Sequence, residues 1–145
     1  MSIIWHTYNW EGLSKKMLYE ALTLRSLVFV VEQNCVYQDL DSKDENGIHV
    51  LGYKQNLLVA YARVFPNAKP ASIGRVVIHP LFRGLGYGKH VMQKCIKQIP
   101  ENTTVHISAQ EHLKGFYESL GFSQTAAGYF CLLYTSDAAD DWFCV

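Results

Sequence analysis

Residues 72–99 read SIGRVVIHPLFRGLGYGKHVMQKCIKQI, a β-branched stretch, a glycine-rich break and an amphipathic row in direct succession. The β-branched centre of residues 72–79 predicts a strand, which Pro80 ends. Val91, Met92, Cys95, Ile96 and Ile99 recur on one side of a helix predicted over residues 86–98 and closed by Pro100. Between the two, Arg83-Gly84-Leu85-Gly86-Tyr87-Gly88 places three glycines in five positions. Such a loop turns tightly and approaches a ligand with no Cβ in the way. The helix behind it offers unpaired N–H groups and about half a positive charge. Arg83 adds a guanidinium that stays charged. Together these make a cradle for a pyrophosphate; the alternative for a glycine-rich turn alone is a structural turn without any ligand.

Two well-known phosphate loops do not fit. A dinucleotide fold needs G-x-G-x-x-G near its first strand and an acidic residue about 20 positions later. Here the spacing is G-x-G-x-G in mid-chain, and His106 stands 20 residues after Gly86. The G-x-x-x-x-G-K-[ST] pattern is absent as well.

On the N-terminal side, residues 3–9 alternate around Trp5 and predict a first strand. Ser14 is an N-cap for an amphipathic helix over residues 14–30, with Met17, Ala21, Leu24 and Val28 in one row. Residues 38–47 (QDLDSKDENG) form a polar loop, and residues 49–54 and 57–65 a hairpin turning at Gln55-Asn56. On the C-terminal side follow a strand over 103–109, a short helix over 113–120 closed by Gly121, and one strand from Phe122 onward. The order β-α-β-β-β-α-β-α-β predicts a mixed α/β domain, a central sheet covered by helices.

The 145 residues are 49% apolar and 18% charged, enough for one packed domain. Thirteen basic residues balance thirteen acidic ones, against the basic excess of a nucleic-acid binder. No run reaches the ~18 apolar residues of a membrane span, and MSIIWHTYNW lacks the pattern of a signal peptide. We therefore expect a cytoplasmic protein with no nucleic-acid or membrane partner. Cys35, Cys95, Cys131 and Cys144 form no C-x-x-C or Cys/His cluster, so no metal is expected.

At the loop, the chain resembles the GNAT acyltransferases, whose (Q/R)-x-x-G-x-(G/A) signature matches Arg83 to Gly88. Phe116-Tyr117-Glu118-Ser119-Leu120-Gly121-Phe122 resembles the family's F/L-Y-x-x-x-G-F segment. The stretches RSLVFVVEQ (25–33) and Ser108-Ala109-Gln110 are similar to the ElaA-like branch. The resemblance implies the GNAT fold, a mostly antiparallel sheet with two splayed strands, and transfer of an acetyl group from acetyl-CoA to an amine. The acceptor would be a small molecule or a peptide; the oligomeric state is open, a dimer included.

By the same resemblance, main-chain groups of Val76, Val77 and Ile78 hold the pantetheine arm and the acetyl carbonyl. The pyrophosphate falls to Arg83 and to the N–H groups of Gly84, Leu85, Gly86, Tyr87, Gly88 and Lys89. Gln110, where many members have Asn, makes a further cofactor contact. Tyr117 stands beside the sulfur as proton or hydrogen-bond donor. Glu32, at the acceptor side, is the first candidate base, with His49 and His79 behind it. The acidic run Asp39, Asp41, Asp44 and Glu45 is either a lure for a cationic amine or a solvated face. Cys35 and Cys95 lack the setting of a nucleophile, so attack by the amine is direct.

Two rival readings are a silent acyl-CoA-binding module and an acyl-homoserine-lactone synthase. The latter's R-x-x-x-F is echoed by Arg25 to Phe29, but its acidic block is missing. Finally, CLLYTSDAADD (131–141) resembles translated sequencing-adaptor DNA. Residues 1–130 are therefore expected to form the domain and 131–145 a non-native tail. Without the tail the balance is 13 basic to 10 acidic residues, a net +3.

Overall fold

The computed structural model describes residues 3–135. Its elements are β1 (Ile4–Tyr8), α1 (Lys15–Arg25), β2 (Ile48–Lys54), β3 (Leu57–Phe65), β4 (Ala71–Ile78), α2 (Tyr87–Ile96), β5 (Thr103–Ser108), α3 (Lys114–Ser119), β6 (Ser123–Ala126) and β7 (Tyr129–Tyr134). The strands form one seven-stranded sheet in the order β1-β2-β3-β4-β5-β7-β6. Every neighbouring pair is antiparallel except β4 and β5. This is the expected mixed α/β architecture with helices on a mostly antiparallel sheet.

Side chains alternate across the strands, so each face gathers its own core. Val50, Ala62 and Val64 pack with Val91, Met92, Cys95 and Ile96 of α2. Leu51 and Tyr61 point the other way, against Ala21 and Leu24 of α1. Each fully buried aliphatic side chain contributes about 1.5–3 kcal/mol.

Helix α1 starts where the N-cap was expected, the Ser14 hydroxyl accepting the Met17 N–H at 3.1 Å. It does not run to Val30 as a regular helix. From Ser26 to Glu32 the turns widen to π-helical, with the Gln33 and Cys35 N–H groups reaching back to the Val28 and Val30 carbonyls. The wide turns seat Val28 in the core at the wall of a cavity, which Phe29 and Glu32 also line.

The strand expected from Phe122 is a hairpin, β6 and β7, because Gly128 (φ +79°) reverses the chain. The expected domain limit after Phe130 falls inside β7. That strand pairs with β5 through Tyr134, and Leu132 and Tyr134 are buried. Residues 136–145 of the expected tail lie outside the described residues.

Strand β4 breaks its register against β3. Tyr61 faces Val77 and Arg63 faces Gly74, so Arg75 and Val76 together oppose one residue, Ala62. Arg75 sits at φ +53°, a left-handed conformation that L-residues other than glycine seldom adopt.

The acidic run is neither a lure nor a solvated face, apart from Glu45, which is exposed. Three aspartates and three arginines close a circuit of alternating charge. Asp39 contacts Arg25 at 2.8 Å and Arg75 at 2.9 Å; Asp41 contacts Arg75 at 3.4 Å and Arg63 at 2.7 Å; Asp44 contacts Arg63 at 2.9 Å and Arg25 at 2.7 Å. Arg25 is wholly buried. Burial alone would raise the carboxyls, but hydrogen bonds from Arg63 to Asp41, and from Arg25 and Arg63 to Asp44, hold both below the ordinary carboxylate range.

Candidate active site

Strands β4 and β5 run parallel for three pairs, Ala71 to Ile73 against Val105 to Ile107. Beyond Ile73 they part, and a cavity of about 1070 Å³ opens over the gap. The N–H of His79 donates to the Val59 carbonyl at 2.7 Å. By the alternation of an antiparallel ladder, the main-chain groups of Ile78 therefore face away from β3, toward the gap. Val76, Val77 and Ile78 all line the cavity.

The glycine loop forms one end of this space. Gly84 and Gly86 lie at φ +77° and +85°, and a Cβ built on either would meet nothing within 4 Å. These glycines answer to backbone conformation and to open space at the cavity, not to crowding by the protein. Gly86 caps α2, whose first residues, Tyr87, Gly88 and Lys89, also line the cavity. The fit is that of an anion held by N–H groups at a helix start. Gly88 is different: its Cβ would stand 3.2 Å from the Phe116 ring, so it serves packing between α2 and α3. Leu85 is exposed and does not line the cavity, unlike the other expected cofactor residues.

Tyr117 is 3% exposed and lines the cavity from α3. Phe116, Phe122 and Phe130 surround its ring at centroid distances of 5.0, 5.9 and 5.8 Å. Its hydroxyl has no hydrogen-bond partner among the described residues, and burial pushes the phenol above its ordinary value. It is a weak acid with a free donor.

Of the three expected bases, only Glu32 reaches the cavity. Both of its oxygens accept from Arg83, at 2.7 and 3.0 Å, which makes it an anchor rather than a free proton acceptor. His49 is fully buried under the charge circuit, its ring nitrogens engaged by the Tyr61 hydroxyl (2.7 Å) and the Asp44 carbonyl (2.9 Å). Burial also lowers its pKa. His79 uses Nδ1 to accept the Leu81 N–H at 3.2 Å.

Sequence reading missed Gln33, whose amide oxygen accepts from Gln110 Nε2 at 2.6 Å. Adjacent residues Glu32 and Gln33 thus reach both lips of the gap, Arg83 after β4 and Gln110 after β5. The adjacency was visible in the sequence; the two partners were not. Among the described residues no cluster of His, Cys, Asp and Glu fits a metal ion, and no helix is long and apolar enough to cross a membrane.

The family model described as acetyltransferase (GNAT) domain matches residues 9–130. The chain is 43% identical over 129 residues to protein ElaA of Escherichia coli, covering 83% of this chain and 84% of that protein. It is 40% identical over 136 residues to the UPF0039 protein sll0451 of Synechocystis, covering 89% and 88%. Among solved structures, an acyl-CoA N-acyltransferase from Pseudomonas aeruginosa superposes with a TM-score of 0.82 at 32% identity, over 90% of this chain and 97% of that one. Escherichia coli ElaA gives a TM-score of 0.78 at 38% identity, over 89% and 97%.

Proposed function

Because the chain belongs to the GNAT acetyltransferase family, we propose that it transfers an acetyl group from acetyl-CoA directly to a primary amine on a small molecule or peptide in the cytoplasm. The observation that carries this reading is the left-handed Gly84/Gly86 loop at the start of α2, opening on a cavity that continues between splayed strands to the Tyr117 hydroxyl. The residues up to Phe130 are taken as the transferase domain proper, and those after it as a non-native extension that completes β7.

When bound, acetyl-CoA supplies an acetyl group already activated as a thioester. The N–H groups of Gly84 to Lys89 hold the pyrophosphate, and Arg83 adds its charge once it turns from Glu32. Main-chain groups of Val76, Val77 and Ile78 hold the pantetheine arm and orient the acetyl carbonyl; Gln110 supports the arm from the other lip. Tyr117 donates a hydrogen bond to the departing sulfur. A full proton transfer from a phenol of pKa ~10 to a thiolate of ~8.5 is uphill by roughly 2 kcal/mol, and burial of Tyr117 widens that gap.

Tyr117→Phe keeps the ring packing, so fold and acetyl-CoA affinity should persist. The lost bond acts as charge develops on sulfur, and kcat should fall about 10- to 100-fold with KM little changed, the lower end of a donor's usual share. Steady-state thioester turnover with an amine panel measures this; a wild-type kcat in Tyr117→Phe would remove the residue from the chemistry.

Glu32→Gln separates anchor from base. The ion pair with Arg83 is half exposed, so its loss should cost under about 1 kcal/mol of stability. As an anchor, Glu32 can be replaced with kcat within about threefold and a lower KM for acetyl-CoA, whereas a general base would lose about 10²- to 10⁴-fold in kcat. Initial rates at saturating amine decide between the two.

A further inference from the structure

The bulge in β4 poses a physical problem that the charge circuit answers. An L-residue at Arg75's φ of +53° is disfavoured, and its neighbour Gly74, which has open space around it, does not take up the strain. The side chain of Arg75 is tied to the acidic loop. Its Nε lies 2.9 Å from Asp39 Oδ1, and its Nη2 donates to the Asp39 carbonyl at 2.9 Å and sits 3.4 Å from Asp41 Oδ2. Asp39 and Asp41 are themselves fixed by Arg25 and Arg63. Val76, next in the chain, is left without a partner on β3 and lines the gap between the splayed strands.

We infer that Arg75, gripped by Asp39 and Asp41, is a positioning residue for acyl transfer: the charge circuit holds the bulge that aims the Val76 main chain at the acyl group. This rests on the acetyl-CoA reading above. The circuit is then part of the transfer machinery although none of its carboxylates meets the substrate.

The test uses three substitutions that part backbone conformation from charge. Glycine accepts a positive φ freely but has no side chain to pair; lysine keeps the charge but loses the fork; alanine loses both. All three should lower the melting temperature, lysine least. If the bulge is what matters, kcat does not follow that order: Arg75→Ala and Arg75→Lys should fall about tenfold, the equivalent of a left-handed penalty of 1–2 kcal/mol, while Arg75→Gly falls threefold at most. Acetyl-CoA affinity, set by the glycine loop, should change by less than about twofold in each. A kcat order that tracks the melting temperatures, with lysine above glycine, overturns the inference, as does an unchanged kcat in Arg75→Ala. Should Arg75→Ala not fold, the order of glycine and lysine alone decides. A wild-type protein that acetylates no amine overturns the acetyl-CoA reading, and this inference with it.

Discussion

A folded Gly86→Val protein should lose acetyl-CoA binding by at least about 100-fold, or 2.7 kcal/mol. Gly86 holds φ +85° at the first turn of α2. A β-branched residue at that angle faces a backbone penalty above the 1–2 kcal/mol usual for L-residues, and the loop relaxes away from it. The valine methyls also enter the space left open for an anion, where a Cβ now meets nothing within 4 Å. Gly88→Val offers a contrast in stability, not a control for binding, because its N–H belongs to the same cradle. Its Cβ meets the Phe116 ring at 3.2 Å, so its first effect should be on the melting temperature. Isothermal titration with acetyl-CoA, beside thermal melts, distinguishes them. Normal affinity in folded Gly86→Val would remove the loop from the cofactor site.

Arg25→Met should be the most destabilising change outside the aliphatic core, by about 3–5 kcal/mol, the usual penalty for stranding buried charge. The guanidinium is wholly buried and divides its donors between Asp39 and Asp44. Its removal leaves three buried or half-buried carboxylates against two arginines. Adding Asp39→Asn restores charge balance, so the double variant should be less destabilised than the two single effects summed. Urea unfolding at pH 7 measures both.

The same network sets the response to acid. Asp41 and Asp44 titrate lower in the folded protein than in the unfolded chain. Their stabilisation is therefore present above about pH 4 and lost as pH falls below it. The His49 pKa is also lowered on folding; the unfolded chain takes up its proton first, so stability begins to fall already below about pH 6.5. Both effects have one sign. In Arg25→Met the step below pH 4 should shrink, since Asp44 loses one of the two donors that depress it. A step of undiminished size would mean that Arg25 does not govern that carboxylate.

Much of the fold was legible because it rests on local chemistry. The strand, glycine loop and helix of residues 72–99, the Ser14 cap and the Gln55-Asn56 turn all appear within a residue or two of where periodicity and turn residues put them. What escaped depends on partners distant in sequence. Asp39 and Arg75 are 36 positions apart, and Asp41 and Arg63 are 22 apart; a run of acids carries no mark of the arginines that will enclose it. The π-helical turns escaped because Val28 packs in the core while Glu32, four residues on, is exposed at the cavity, a difference that a helical row does not show. The cavity itself was legible as a motif, but the Glu32–Arg83 and Gln33–Gln110 bridges span 51 and 77 residues and belong to tertiary structure.

The three-pair junction between β4 and β5 also divides the sheet into an earlier and a later stretch of sequence. Strands β1 to β4 and α1 lie before residue 79 and form an unbroken meander among themselves, so that half has its own strand partners early. Everything beyond the gap arrives later, and β7, the last strand described, wedges between β5 and β6. Until it does, β5 carries a bare edge, open to pairing with a neighbouring nascent chain. The glycine loop lies midway along the chain, but the second lip of the gap needs Gln110, and the sheet that supports this lip needs the six-residue β7, the last strand among the described residues. The gap thus joins strands drawn from both stretches of sequence, and neither stretch alone has both of its lips.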